Sequence, residues 1–322
     1  MSVQVVVAVV EVIQAVIARR KCMSRIIKVF DTEIEVKDNL CSTNCNNYVI
    51  CDPKIHLYIK VTDRCNANCA FCGNSSSKDF GDIDIGKLKY VIGYLEEKNI
   101  LHGVSITGGE PMLDFKKLNN IVNAVFEAAL ETELSISTNG YGFKNVVNLD
   151  RIEDIESIHL SRHHYQDEVN NCIFGAPSAT LADIQYVLGK LRDYRTLVLN
   201  CLLMKEYIGN LSEVKRYLDG ASDVGVYKAG FVSLMKINDY CNANYIDFNT
   251  IFNDFDSRML KGHHFKDYDI CECQNGIYVA SSGQMIEYYA RMVNDLNPPY
   301  VRQLVYTSNN NLTTGFNGKK LY

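Results

Sequence analysis

The stretch Thr62-Asp63-Arg64-Cys65-Asn66-Ala67-Asn68-Cys69-Ala70-Phe71-Cys72 decides the reading of this chain. Its C-x3-C-x2-C spacing gathers three thiolates around one small volume, and that volume fits a cubane iron-sulfur cluster. A [4Fe-4S] cluster ordinarily takes four cysteinates. A compact group of three therefore leaves one iron without a protein ligand, and an open position on a metal is where substrate chemistry takes place. The spacing reads as reactive rather than structural. Immediately upstream, Ile55-His56-Leu57-Tyr58-Ile59-Lys60-Val61 is a β-branched and aromatic run of strand length, so the cysteine loop leaves the end of a strand. Parallel α/β barrels place their chemistry there.

Two further segments follow in the same order of strand and turn. Gly103-Val104-Ser105-Ile106-Thr107 reads as a second strand and runs into Gly108-Gly109-Glu110-Pro111, and Leu134-Ser135-Ile136-Ser137 reads as a third and runs into Thr138-Asn139-Gly140. Taken singly, the cysteine triplet is also compatible with part of a zinc site, and the glycine turn with a simple tight turn. Taken together, each after a strand, they favour one composite site. No strand-linked G-x-G-x-x-G appears, which argues against a dinucleotide fold.

These segments resemble the radical S-adenosylmethionine (SAM) superfamily, in particular the branch that holds the molybdenum-cofactor-biosynthesis cyclase and the SPASM-type peptide-modifying maturases. The resemblance implies that Cys65, Cys69 and Cys72 hold a [4Fe-4S] cluster whose remaining iron chelates SAM. It implies that the Gly108-Gly109-Glu110 turn binds the amino group of the SAM methionine, with Glu110 orienting the loop, and that Thr138 and Asn139 lie near SAM. Without a Cβ the chain packs tightly at Gly108 and Gly109, so a side chain at Gly109 is expected to impair SAM binding and leave the cluster intact. Phe71 matches an aromatic that packs near adenine, Ser161 a SAM-contacting serine, and Asn200 an asparagine that contacts SAM in some relatives. The implied product is a 5′-deoxyadenosyl radical that abstracts hydrogen from a small metabolite or a peptide. An electron donor such as flavodoxin or ferredoxin is implied as partner.

The run Ile158-His159-Leu160-Ser161-Arg162-His163-His164-Tyr165 departs from the cyclase-like pattern. Arg162, His163, His164 and Tyr165 fall at a strand's C-terminal end, in a position to contact cofactor or substrate. Arg162 is assigned to the cofactor, and His163, His164 and Tyr165 to catalysis as proton donors and acceptors and a redox phenol. A plain solvated loop is the alternative. Asn200 has its own, as a strand polar that satisfies backbone.

Strands over about 55–61, 103–107, 133–138, 156–160, 196–204 and 226–234 alternate with helical patterns over Ile85 to Lys98, Phe115 to Glu131, Ser178 to Tyr194 and Leu211 to Leu218, with Asn210 as N-cap of the last. Alternation of this kind means parallel strands. The expected fold is α/β, a partial (β/α)6 TIM-like barrel with a C-terminal extension, open on one side for a large substrate. Residues 1–22 form an apolar or amphipathic N-terminal segment, 23–54 a β-rich preface, 55–235 the radical SAM core and 236–322 a substrate-capping region. No clear further strand-helix units follow 236.

Cys271-Glu272-Cys273 with Gly276 and Gly283-Gln284-Met285 resembles the opening of a SPASM-type domain, but Tyr288 and Tyr289 stand where its next cysteine is expected. No cysteine follows Cys273, and the cyclase's cysteine triad and terminal Gly-Gly are missing from a chain ending Lys320-Leu321-Tyr322, so molybdopterin synthesis is not expected. Cys41, Cys45, Cys51, Cys241, Cys271 and Cys273 remain as sources for a second cluster or a zinc ion. Otherwise they are small hydrophobes.

At 322 residues, 47% hydrophobic and 22% charged, with formal charge -5, this is an ordinary globular chain with no general basic field for nucleic acid. Twelve cysteines without the framework of a small secreted scaffold point to a reducing cytoplasm. Val3 to Ile17 is mostly apolar, but its charges Arg19, Arg20 and Lys21 come after it, unlike a secretory signal. Gln4, Glu11 and Gln14 interrupt it short of the about 20 apolar residues a spanning helix needs. An amphipathic helix, or an extension upstream of a start at Met23, is expected, with no membrane role. Rival readings are a glycyl-radical activating enzyme and a non-catalytic iron-sulfur or zinc protein. The second has no use for the Gly108 turn or the Thr138 segment.

Overall fold

The computed structural model describes residues 24–37, 54–73, 81–247, 250–251, 276–279, 283–289, 301, 303–316 and 318–322. The segment 1–22 and the cysteines Cys41, Cys45, Cys51, Cys271 and Cys273 lie outside the described residues.

Strands β1 (Ser24–Val29) and β2 (Thr32–Lys37) pair antiparallel as a hairpin preface. Its turn residue Phe30 stacks on Tyr94 at 4.1 Å between ring centroids, fastening the hairpin to the first helix. The sheet proper has a core of six parallel strands in sequence order: β3 (Ile55–Lys60), β4 (Leu101–Thr107), β5 (Glu133–Thr138), β6 (Ser157–Ser161), β7 (Leu197–Leu203) and β8 (Lys228–Ser233). Helix α1 (Ile85–Glu97) connects β3 to β4, and α2 (Phe115–Ala128) connects β4 to β5. Short 3-10 turns replace a helix between β5 and β6. α3 (Asp167–Phe174) and α4 (Leu181–Leu188) lie between β6 and β7, and α5 (Leu211–Asp223) leads into β8.

Local chemistry explains the helix limits. A capping box between Thr180 and Asp183 starts α4 later than its apolar pattern suggested, and Gly189 ends it. Asn210 caps α5 as expected, its side chain accepting from the Glu213 amide.

The C-terminal region adds strands that its sequence did not announce. β10 (Met285–Tyr289) runs parallel to β8, and β11 (Gln303–Tyr306) runs parallel to β3, so the parallel sheet grows at both flanks. β9 (Gly276–Val279) and β12 (Leu312–Thr313) pair antiparallel at the two edges. Strands of two to five residues carry too little periodicity to register as repeating units. The ends of the sheet, β9 and β12, do not pair with each other among the described residues, so the barrel is not closed.

The two faces of this sheet differ. Leu57, Ile59, Leu134, Ile136, Ile158 and Leu160 are buried on the face that packs into the main hydrophobic core. Between them stand His56, Tyr58, Ser135, Ser137, Ser157, His159 and Ser161, half-buried and mostly polar. A parallel sheet covered on both faces reads as a continuous apolar run. The alternation on β3, β5 and β6 marks the second face of these strands as a polar inner surface.

Among the described residues, no helix is long and apolar enough to cross a membrane.

Candidate functional site

Beyond the C-terminal ends of β3, β4 and β5, the three sequence segments meet. The loop after β3 carries Cys65, exposed, with Cys69 and Cys72 partly buried. A backbone bond from the Cys72 amide to the Cys69 carbonyl (3.1 Å) turns this loop, and the Ala67 amide donates to Cys65 Sγ (3.4 Å). Burial, then the neighbouring thiols Cys72 and Cys65, push the Cys69 thiol up to about 12. Burial likewise raises Cys65, with Glu110 and Cys72 adding to it. The three sulfurs thus share one electrostatic neighbourhood, which suits a polycation that ionises them on binding.

The glycine turn after β4 docks on the backbone of that loop. Gly109 donates to the Thr62 carbonyl (2.5 Å) and Glu110 to the Arg64 carbonyl (2.9 Å). Gly108 has φ +147°, and a Cβ there would lie 2.5 Å from the Thr62 carbonyl oxygen. A Cβ on Gly109 would overlap the carbonyl of Arg64, the residue before Cys65. This corrects the expectation that a side chain at Gly109 leaves the cluster alone: the space it needs belongs to the cluster loop.

Glu110 ties the third segment in. Its buried carboxylate accepts from the Met112 amide (2.8 Å), Thr138 Oγ1 (2.7 Å) and the Asn139 amide (2.6 Å). Burial raises its pKa to about 7 against those hydrogen bonds. Asn139 in turn donates through Nδ2 to Asn66 Oδ1 (2.9 Å) and to Cys65 Sγ (3.5 Å). Glycine turn, Thr138-Asn139 segment and cysteine loop are therefore one hydrogen-bonded junction. A buried ion pair between Lys60 and Asp63 holds the strand end from which the loop departs.

The His-rich run divides. His163 is buried with its ring edge-to-face on Phe71 (5.1 Å) and tilted on Phe174 (5.0 Å), and its Nδ1 accepts from the Leu202 amide (3.2 Å). Burial lowers its pKa to about 3, so the ring is neutral. His164 stacks on Tyr165 (4.2 Å), whose hydroxyl donates to Glu213 of α5 (3.1 Å) and whose Cβ lies against Gly220 of the same helix. Only His163 of this trio is brought to the cysteine loop. Arg162 is 1% exposed and spends its guanidinium on Asp167 (2.7 Å) and the carbonyls of Ala179 and Tyr165 (3.0 Å each), joining β6 to α3 and the start of α4.

Ser161 and Asn200 stand side by side on β6 and β7 as register partners on the inner face. Asn200 Nδ2 donates to His159 Nδ1 (3.1 Å), while its buried Oδ1 has no partner among the described residues.

Several supporting residues carried no signal in the motif. Helix α6 (Asp239–Asn244) props the cysteine loop: Asn238 donates to the Ala70 carbonyl (2.9 Å), and Cys241 sits beneath the Phe71 carbonyl (4.0 Å). Cys241 is buried with Ile173, Met204 and Leu234, the packing of a small hydrophobe. The end of α3 also contributes, since the Asn68 amide donates to the Phe174 carbonyl (2.8 Å). His159 was legible in one respect: it shares the inward parity of Ser161 on β6.

Residues 59–217 match the family model described as the Radical SAM superfamily. Fold, junction and match agree over this segment: residues 59–217 form a radical SAM domain. An uncharacterized protein, MJ0907, of Methanocaldococcus jannaschii is 40% identical over 68 residues, 21% of this chain and 23% of that protein. GTP 3′,8-cyclase of Lactiplantibacillus plantarum is 26% identical over 219 residues, covering 65% of this chain and 64% of the cyclase. The matches thus span 23% to 64% of these curated relatives. Streptococcus suis SuiB bound to its precursor peptide SuiA superposes with TM-score 0.59 at 14% identity, over 97% of this chain and 73% of SuiB, which shows likeness of fold. With SuiB bound to S-adenosylmethionine the score is 0.57 at 14% identity, over 84% of this chain and 63% of that one.

Proposed function

We propose that this protein is a radical SAM enzyme that cleaves S-adenosylmethionine reductively and abstracts hydrogen from a small metabolite or a peptide. The observation that carries the reading is the junction at Glu110, which locks the glycine turn and the Thr138-Asn139 segment to a loop bearing three thiols. The donor set fits a [4Fe-4S] cluster: three sulfurs in one loop, thiolates when metal is present, with no fourth protein ligand in the motif. When bound, that cluster supplies the electron that breaks the carbon-sulfur bond of SAM.

The chain's own residues do the rest. Cys65, Cys69 and Cys72 hold the cluster, and Asn139 donates to the Cys65 sulfur, favouring its anionic form. Gly108 and Gly109 bring backbone groups to the methionyl end, while Glu110, its acceptors committed to protein donors, positions the turn. Ser161 and Asn200 offer hydroxyl and amide groups from the inner face. Neutral His163 fixes Phe71 at the rim, where the ring is available to an adenine. The unclosed sheet supports a substrate larger than the barrel interior. We assign a reduced flavodoxin or ferredoxin as electron source and the cytoplasm as compartment.

The test is anaerobic reconstitution with iron and sulfide, followed by quantification of bound iron and of 5′-deoxyadenosine formed with dithionite. About four irons per chain and reductant-dependent 5′-deoxyadenosine support the reading. A mononuclear metal site without SAM cleavage overturns it.

A further inference from the structure

The inner face of the sheet carries a belt of polar side chains below the junction. His56 Nε2 bonds Ser105 Oγ (2.7 Å), which bonds Ser135 Oγ (2.6 Å). On the next strands Ser157 Oγ bonds His159 Nε2 (3.0 Å), and Asn200 Nδ2 bonds His159 Nδ1 (3.1 Å). Further along, Lys228 pairs with Glu287 at 3.3 Å. Asn200 Oδ1 is buried and, among the described residues, has no hydrogen-bond partner.

An unpaired buried amide oxygen costs about as much as a lost hydrogen bond, so native proteins seldom leave one without a purpose. The amide nitrogen faces His159 Nδ1; a carboxamide nitrogen only donates, so in this arrangement Nδ1 accepts and the proton of the neutral ring lies on Nε2, where Ser157 Oγ accepts it. The imidazole holds the Asn200 nitrogen, and the oxygen turns the other way. Its register neighbours are small: Ser161, on one side, is the short side chain assigned to SAM, and Gly230, on the other, has no side chain at all.

We infer that His159 is a positioning residue, which orients the Asn200 carboxamide so that Oδ1 accepts a hydrogen bond from an O–H or N–H group of SAM bound on the inner face. This rests on the reading of the protein as a SAM enzyme. His159 touches neither the cluster nor SAM. It acts through Asn200, and the geometry around it makes the acceptor directional.

The experiment is direct SAM binding by anaerobic equilibrium dialysis to the reconstituted full chain, with iron content and cluster absorbance read on every sample. Asn200→Leu, which removes the acceptor, should weaken SAM about tenfold, the value of one hydrogen bond. His159→Gln keeps a polar group near Nε2 but none near Nδ1, so the amide turns freely and SAM should weaken several-fold, toward the Asn200→Leu value. His159→Asn puts an acceptor near Nδ1 and should bind close to wild type. Combining His159→Gln with Asn200→Leu should weaken SAM no further than Asn200→Leu alone, because both act through one oxygen. Equal affinities in His159→Asn and His159→Gln overturn the positioning role. Unchanged affinity in Asn200→Leu overturns the acceptor. Failure of the wild-type protein to bind SAM overturns instead the reading on which the inference rests, and the two results cannot be confused.

Discussion

The junction around Glu110 and the inner-face belt around Asn200 are both buried and polar, yet they are built on opposite terms. Every carboxylate oxygen of Glu110 is engaged by protein donors, from Met112, Thr138 and Asn139. Asn200 has one half of its amide anchored on His159 and the other half unpaired. A saturated buried group stabilises the fold and has nothing left for a ligand. An unsaturated one is a cost to the fold that a ligand offsets. The contrast separates scaffold from binding surface without reference to any motif, and mutations can break it.

The largest effects belong to the cysteine loop. Cys65→Ala, Cys69→Ala or Cys72→Ala should abolish 5′-deoxyadenosine formation and cut bound iron, and unchanged SAM cleavage in any one of them would remove the cluster assignment. Gly109→Val should come next. Because its side chain collides with the Arg64 backbone, cluster content and SAM affinity should fall together. An intact cluster spectrum with weakened SAM would show that the turn yields in a direction the packing does not suggest.

Glu110→Ala sharpens the contrast directly. It leaves buried donors on Met112, Asn139 and Thr138 without an acceptor and should cost about 3–5 kcal/mol in urea unfolding of the apoprotein. Asn200→Leu should leave the unfolding midpoint near wild type while SAM affinity falls. Were both variants to lose only stability, the distinction between the two regions would collapse.

A pH effect of similar or smaller size comes from the belt. Burial, with His102 and His159 nearby, lowers His56 to about 4 from 6.5. A depressed imidazole is protonated more readily unfolded than folded, so stability falls as pH drops from 6.5 through 4, by about 3 kcal/mol over the whole window. Buried His163, lowered to about 3, adds a loss of the same sign. His56→Gln should flatten part of this slope in unfolding measured between pH 7 and pH 4. An unchanged slope would place the titration elsewhere. The smallest effect is expected at Asn210, where loss of the α5 cap costs about 1 kcal/mol and both iron content and SAM affinity stay at wild-type values. A change in either would tie α5 to the site more closely than its position suggests.

Much of this architecture was legible because it is encoded locally. The six core strands, most helix positions and the Asn210 cap rest on periodicity and capping, which act within a few residues. The short edge strands β9 to β12 were not legible, since each depends on a neighbour distant in the chain for its hydrogen bonds. Within the site, the run Arg162 to Tyr165 read as one cofactor-binding and three catalytic residues at a single strand end. The structure divides it, because a side chain's direction after a strand end is set by what packs there: Asp167 and Ala179 for Arg162, α5 for Tyr165, Phe71 for His163.

What the sequence determined by itself is the chemistry available: three thiols at fixed spacing, two glycines that let one backbone lie on another, and strands whose alternation kept one face polar. Only the tertiary structure decided how that chemistry is shared out. It set the Glu110 carboxylate among protein donors, buried Cys241 as packing beneath Phe71, and left Asn200 Oδ1 unpaired beside His159. The physical reason is that saturation of a polar group is a property of everything within about 3 Å of it, and those neighbours come from strands tens of residues apart.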